Sequence, residues 1–540
     1  MASVPVRRHR GRPWTIPSFP PEAAVSWRAA RRYGVPRAMI ERATARRLAG
    51  DWRGACAAAG VDVDVDLDGI PRSRRPRIEE DLLRLAPDLL RWHLPRAEDE
   101  HGRLRPNTMV LLARYGSRLL QLLTPDRLDR PQRLTLVLRP PRPGWGTSYP
   151  FHRLEDWTWL RELWDVRRLD GLRSWYGATD RVPFLRPDGT PLDADEEPPG
   201  APLTERTIRL LERGEVEAAC AAAGIELDMR TPKGSRYRPD PFRVIRDHPL
   251  DLARLARLQR DEPGRSLLIL HGPGYGLLLR LREDSRVLTV PVTMTPNAVR
   301  LPEAAWRRAP DLELLRLGWL TPDDLHPLVH DALFPGRGGT PGPPEAPLPE
   351  PSRILCNGEW HLVGFRDRAL QTPHGAEQLR RERLLRGLGG PVSDCSVVAA
   401  AWRRGTRRLP RFLRMQRQDL LRRVLHGDTD GVLRLLDAFD PRMRVADGRT
   451  LLHLLHLVDH ERLLPRLLEA GLDVEAADET GRTPLHSAVE HGTPALVRAL
   501  LAAGARPDAT DRSGASVLEL AERARRGDLE FLRNEKGHGR

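Results

Sequence analysis

"DETGRTPLHSAVEHGTPALVRALLAAGARPDATD", from Asp478 to Asp511, carries the punctuation of two short helices joined by tight turns. Thr483 is placed to cap a first helix, and Pro484 fits its first turn, where a missing N–H has no partner to lose. Leu485, Ala488, Leu496, Val497, Leu500 and Leu501 fall on the apolar faces of an antiparallel helix pair. Gly504 then ends the second helix in a left-handed conformation. One such unit cannot bury its apolar face alone, so the stretch predicts stacking against copies of itself.

The copies are present. Gly448, Gly481 and Gly514 are spaced by 33 residues, as are Thr450, Thr483 and Ser516, and Leu452, Leu485 and Leu518. This period, with "GRTPLH" and "LVRALLAAGA" in register, resembles the ankyrin repeat. The middle copy carries nearly the whole pattern. In the copy before it, Leu451 replaces the Pro and leucines fill the small positions. Pro465 falls in that copy's second helix, where it is tolerable only near the helix start. The last copy has Glu519 where the His belongs, and "LLRRVLHGDTDGVLRLLDAFDP" keeps a helix–Gly-Asp–helix rhythm ahead of the first full copy. Degenerate ends are what capping repeats show.

The resemblance implies a scaffold that binds a protein partner and needs no cofactor. It makes His486 a hydrogen-bonder inside its repeat rather than a ligand. It also implies that the partner meets the turn tips and the exposed ends of the first helices. Here the tips are Ala446 and Asp447, Glu479 and Thr480, Arg512 and Ser513. The positions after the turn glycines are Arg449, Arg482 and Ala515, and the helix ends are Leu457 and Val458, Glu490 and His491, and Arg523.

A second, longer repeat lies upstream. "RRLAGDWRGACAAAGVDVDV" (Arg46 to Val65) is similar to "LLERGEVEAACAAAGIELDM" (Leu210 to Met229), with Cys56 matching Cys220 and Gly60 matching Gly224. After each copy come a leucine-rich helix ("EEDLLRLAPDLLRWHL" or "DHPLDLARLARLQRD"), apolar runs that read as β-hairpins, and closing helices ("LEDWTWLRELWDVRRL" or "DLELLRLGW"). The fold class expected is a multi-domain chain: two duplicated α+β modules followed by an α-helical ankyrin-repeat solenoid. The boundaries are a first module over 1–187, a Pro-rich linker over 188–205, a second module over 206–334 and a Pro/Gly linker over 335–352. A small β-hairpin plus helix segment over 353–405 follows, then the repeat stack over 406–532 and a disordered tail over 533–540.

The net charge of +14 raises the question of nucleic acid, but all but two of the 88 basic residues are arginine, the bias of a GC-rich genome. These arginines alternate with acids and leucines as a solvated face does, so specific nucleic-acid binding is not expected. The four cysteines form no dense disulfide pattern, which suits a reducing cytoplasm. The basic N-terminus lacks the apolar core of a signal peptide, and no run is long enough to span a bilayer.

Other chemistry reads as structure. "HGPGYG" (His271 to Gly276) precedes a strand-like run, so it is a hairpin turn rather than a phosphate loop. Asp62, Asp64 and Asp66 share one face of a solvated edge strand. Trp157, Trp159, Trp164 and Trp175 are expected in the core or as an inter-domain anchor. Cys356, His361, His374 and Cys395 have the residue types of a tetrahedral zinc site, but C-x4-H-x12-H-x20-C matches no familiar finger spacing. The expectation is buried free cysteines and ordinary histidines, with no metal; a Cys395 nucleophile with His374 as base has nothing to bring the two together. The function expected is a non-enzymatic interaction scaffold or adaptor. The alternatives are a catalytic or toxin-like pair of N-terminal modules targeted by the repeats, or an arginine-rich nucleic-acid-binding regulator.

Overall fold

The computed structural model describes residues 20–140, 153–228, 245, 248–258, 266–271, 275–281, 286–289, 299–388, 393–404 and 409–535. The chain divides into two compact units. One comprises 1–124 and 134–343, the other 125–133 and 344–540.

The first unit contains two five-stranded sheets. Strands β1 (Val61–Asp64), β2 (Thr108–Tyr115), β3 (Arg118–Leu123), β4 (Leu134–Arg139) and β5 (Arg153–Asp156) pair in the order β1-β4-β3-β2-β5. Strands β6 (Ile225–Asp228), β7 (Ser266–His271), β8 (Tyr275–Leu281), β9 (Arg286–Thr289) and β10 (Val299–Arg300) pair in the order β10-β7-β8-β9-β6. The central strands are antiparallel and the outer ones join in parallel in both sheets. β7 and β8 pair through His271 and Tyr275, so "HGPGYG" does lead into a strand; residues 272–274 lie outside the described residues. Val61 and Val65 are buried while Asp62, Asp64 and Asp66 face out, as an edge strand requires.

Several elements differ from the sequence reading. "EEDLLRLAPDLLRWHL" forms two helices, Arg75–Arg84 and Pro87–His93. Pro87 forces the preceding Ala86 out of the helical region, to φ −102 and ψ 92. The segment expected as the first copy's closing helix, residues 154–169, contains most of β5 and two 3₁₀ turns, and a short helix, Asp170–Trp175, begins only after it. Trp157, Trp164 and Trp175 are buried, but Trp159 is 44% exposed.

The Pro-rich stretch 188–205 is not a free spacer. Proline lacks an N–H but keeps its carbonyl, and arginines bind the free acceptors here: Arg186 donates to Pro191 O at 2.6 Å, Arg209 to Glu196 O at 2.7 Å and Arg337 to Asp188 O at 2.6 Å. The helix Leu203–Glu212 begins inside the stretch, with Glu205 fully buried. Similarly, Arg37 donates to Thr340 O, Gly342 O and Pro343 O at 3.0–3.3 Å, strapping the start of the second Pro/Gly stretch onto the first unit. The expected separation into modules also fails in the core. One apolar cluster runs from Ala24 to Phe334, and within it Asp311 is held by Arg31, by Trp92 Nε1 at 2.9 Å and by the Tyr176 hydroxyl.

The second unit opens with β11 (Ser352–Cys356), β12 (Glu359–Arg366) and β13 (Ala369–Gln371) in one antiparallel sheet. Helices Ala376–Gly387 and Asp394–Arg404 follow, so this segment has three strands and two helices where one hairpin and one helix were expected. Gly389 and Gly390, a Gly pair that predicts the end of a helix, lie outside the described residues. Trp402 stacks on Phe439 with centroids 5.9 Å apart, and Phe365 packs on both rings at 4.9 Å. That contact joins the segment to the helical pairs Arg411–His426 with Thr429–Leu436, Leu451–Leu457 with His460–Glu469, Pro484–His491 with Pro494–Ala502, and then Val517–Arg523. One core runs from Ala346 to Leu532. Leu532–Glu535 form a last helical turn where a disordered tail was expected, and 536–540 lie outside the described residues.

Candidate functional site: the repeat tips and a cysteine–histidine cluster

Each full repeat begins with the same cap. Thr483 N donates to His486 Nδ1 at 3.1 Å, with the Thr483 hydroxyl 2.9 Å from the same nitrogen. Thr450 and His453 repeat both distances. His453 Nε2 reaches Arg482 O at 2.9 Å, tying one repeat to the next. In the last copy Glu519 takes over the role: Ser516 N donates to its carboxylate at 2.9 Å, and Glu519 N donates back to Ser516 Oγ at 3.3 Å. Burial pushes His453 and His486 below the usual histidine range.

The turn tips form a row. Glu479 N donates to Asp447 O at 2.8 Å, and Arg512 N to Thr480 O at 2.9 Å. Asp478 accepts from Thr480 N and Arg482 N, and Asp511 does the same for Ser513 N and Ala515 N, so each tip is braced from within. Gly481 has φ +80, and a Cβ there would meet Arg512 N at 2.8 Å, which explains the invariant Gly of the period.

Glu479, Thr480, Arg512, Ser513 and Arg523 are exposed, as the mapping expected. Arg449 pairs with Asp447 at 2.9 Å, and Arg482 with Glu490 at 3.0 Å and Asp511 at 3.5 Å. Val458 is partly buried against the core. Leu457 is only 7% exposed, correcting its placement on the exposed helix end. The reason is that Leu451–Leu457 winds as a 3₁₀ helix, whose three-residue turn brings a different face inward. Glu490 and His491 are also engaged: Arg130, from the 125–133 stretch of this unit, donates to both carbonyls at 3.3 Å. Pro465 sits mid-helix rather than near a start, with its ring on the exposed side, where water can satisfy the carbonyl of Glu461 that it leaves without a donor.

The structure brings together the four residues whose spacing gave no reason to converge. Cys356 ends β11, His361 lies on β12, His374 precedes the helix Ala376–Gly387, and Cys395 lies in the first turn of Asp394–Arg404. Their ligand atoms all lie within 4.8 Å of one another. Cys356 Sγ is 3.4 Å from His374 Nε2, and Cys395 Sγ is 3.5 Å from His361 Nδ1. Burial and the neighbouring Cys356 push the Cys395 thiol up to about 12, which argues against a free nucleophile there. The turn Asn357-Gly358 sets the hairpin, with both residues at positive φ, and Asn357 N approaches Asp394 at 3.4 Å, drawing the hairpin to the second helix.

Sequence reasoning missed the buried polar network of the first unit. Besides Asp311, it includes His326 Nε2 on Asp88 at 3.0 Å and Glu303 bound by Arg105 and Arg307. Glu303 N donates to Glu155 at 2.6 Å, and burial with the charge of Glu303 pushes Glu155 up to about 7. The adjoining cavity, lined in part by Arg31, His93 and Glu303, holds ≈ 20 Å³, room for a water.

This geometry defines a stack of helical pairs with a continuous row of tips. Residues 420–511 are ankyrin repeats: the family model for ankyrin repeats, in three copies, matches them. No family model matches the N-terminal region. The chain is 39% identical over 88 residues to an ADP-ribosylation factor GTPase-activating protein (AGD4) of Arabidopsis thaliana, covering 16% of this chain and 11% of that protein. It is 43% identical over 56 residues to the protein fem-1 homolog A of Danio rerio, covering 10% and 9%. It is 40% identical over 65 residues to ankyrin repeat and SOCS box protein 16 of Mus musculus, covering 12% and 14%. The chain thus matches only a small part of each relative's length. No helix among the described residues is long and apolar enough to cross a membrane.

Proposed function

We propose that this chain is a non-enzymatic, cytoplasmic adaptor that binds a protein partner through the tips of its ankyrin repeats. The observation that carries the reading is the braced row of exposed tip residues Glu479, Thr480, Arg512 and Ser513; Arg523 is exposed at the end of the helix Val517–Arg523. A surface fixed before binding loses little entropy when a partner docks, and exposed arginines steer and anchor it. Leu457 is not part of this surface, and Arg482 supports it through Glu490 and Asp511. The charge excess does not argue for nucleic acid, because the arginines alternate with acids and leucines along the chain instead of forming a basic block. The test is affinity capture followed by quantitative binding. The double change Arg512→Glu and Arg523→Glu should weaken a partner of the intact chain at least about tenfold, roughly 1.4 kcal/mol. Stability should shift by about 0.5 kcal/mol or less per site. Unchanged affinity would remove the tips from the interface.

The N-terminal unit is read as an internal duplication that serves as a rigid platform. Supporting this, the two sheets share one strand order and one pattern of parallel and antiparallel pairing. Matching details recur: Ala86 N donates to Trp164 O at 2.8 Å, and Asp251 N to Trp306 O at 2.8 Å, at the start of corresponding helices.

A further inference from the structure

We propose that Cys356, His361, His374 and Cys395 hold a zinc ion in a closed tetrahedral site that locks the three-stranded sheet to its two helices. A tetrahedron with Zn–S of about 2.3 Å and Zn–N of about 2.05 Å has S···N edges of about 3.5 Å. The two S···N contacts here are 3.4 and 3.5 Å. The remaining separations, up to 4.8 Å, need only small side-chain adjustments to close on one ion. Each histidine offers a single ring nitrogen to the centre, Nδ1 from His361 and Nε2 from His374. Glu359 Oε2 lies 3.8 Å from the other nitrogen of His361, on the side where zinc-bound imidazoles place a carboxylate.

The donor set selects the metal. Two thiolates and two neutral imidazoles suit zinc, whereas calcium and magnesium need oxygen donors. Binding releases two thiol protons, and the two thiolate charges balance the dication. The neutral site that results can sit beside the buried Ile354, Val363 and Val398 without an uncompensated charge.

The fold around the cluster calls for such a staple. The helix Ala376–Gly387 leaves Leu384 67% exposed, and Leu388 just past its end is 84% exposed, so little apolar burial holds it. A metal bound by His374 immediately before this helix, by Cys395 in the next one and by the hairpin would fix all three elements at one point. Because Phe365 and Trp402 carry the sheet and the second helix onto Phe439, the site secures the first end of the repeat stack.

The experiment is elemental analysis of the full chain purified under reducing conditions without added chelator. One zinc per chain is expected, falling below about a tenth of that in Cys356→Ser and Cys395→Ser, and unchanged in Cys56→Ser and Cys220→Ser. Cobalt exchanged into the site should give the visible bands of tetrahedral Co(II) with thiolate charge transfer. Since ligand removal can unfold the segment, His374→Cys serves as a second variant. It should keep one metal and raise the charge-transfer intensity from two thiolates to three. Absence of metal after reconstitution with zinc, stoichiometric iron or copper instead of zinc, a Cys356–Cys395 disulfide in freshly alkylated protein, or an unchanged cobalt spectrum in His374→Cys would each overturn the assignment.

Discussion

The ankyrin repeats and the N-terminal unit are held together over different distances along the chain. Between repeats, the polar ties span about one period: His453 to Arg482 across 29 residues, Thr480 to Arg512 across a turn tip. In the N-terminal unit, Arg31 meets Asp311 across 280 residues, and Trp92 meets it across 219. A repeat can therefore be lost or altered with effects on its neighbours, whereas the first unit has a buried centre that every part of it must reach. The lesson is that stability spreads by stacking in one region and depends on a few buried polar residues in the other.

The strongest test of this contrast is Asp311→Ala. The carboxylate is the acceptor for Arg31, Trp92 and Tyr176, and Arg31 together with the other donors holds it below the usual range despite its burial. Removing it leaves a guanidinium buried without its counter-charge, at a cost of about 3–5 kcal/mol. Hydrogen exchange of the full chain, resolved by peptide, should show β2, β3 and β4 losing protection while residues 451–523 keep theirs. Equal loss in both units would break the comparison.

Acid should separate the units less strongly. Burial lowers His453 and His486, so their contribution is present above the unfolded histidine value and is lost as pH falls below it. In the first unit, burial lowers His93 from 6.5 to about 3, which has the same sign. Glu155 is raised from 4.5 to about 7, so its contribution is present below 4.5 and is lost as pH rises through 7. Between these values the two groups oppose each other. From pH 7 to about 5.5 the repeats should lose protection, with a limiting slope of about 1.4 kcal/mol per pH unit for each fully titrating histidine. Exchange corrected for intrinsic rates should show a smaller slope in the first unit. Flat repeat stability over this range would contradict the role given to the two capping histidines.

The smallest effect sharpens the local side of the contrast. Pro465→Ala restores the helical bond to Glu461 at an exposed position and should raise repeat stability by about 1–2 kcal/mol. The gain should appear in the peptides of His460–Glu469 and their stacking neighbours. A loss would mean that the ring packs as well as interrupts.

Legibility followed the same divide. Thr483, Pro484, Leu485 and Gly504 announce their roles because capping, helix entry and helix ending are decided within a few residues. The hairpins of β2–β3 and β7–β8 were readable from apolar runs around turn residues. Leu457 was misplaced because the family spacing assumes an α-helix, and the leucine-filled repeat winds more tightly there. Arginines that bind proline-stretch carbonyls pack the first apparent linker and the start of the second onto the first unit, and no local pattern signals such a pairing.

By itself the sequence determined the 33-residue period, the caps, the turn glycines and the doubled N-terminal motif, because each depends on neighbours a few residues away. Only the tertiary structure decided that Asp311 would sit between Arg31, Trp92 and Tyr176, and that Cys356, His361, His374 and Cys395 would meet at one point. Those meetings depend on how strands and helices pack, and a one-dimensional spacing such as C-x4-H-x12-H-x20-C holds no record of a distance closed by folding.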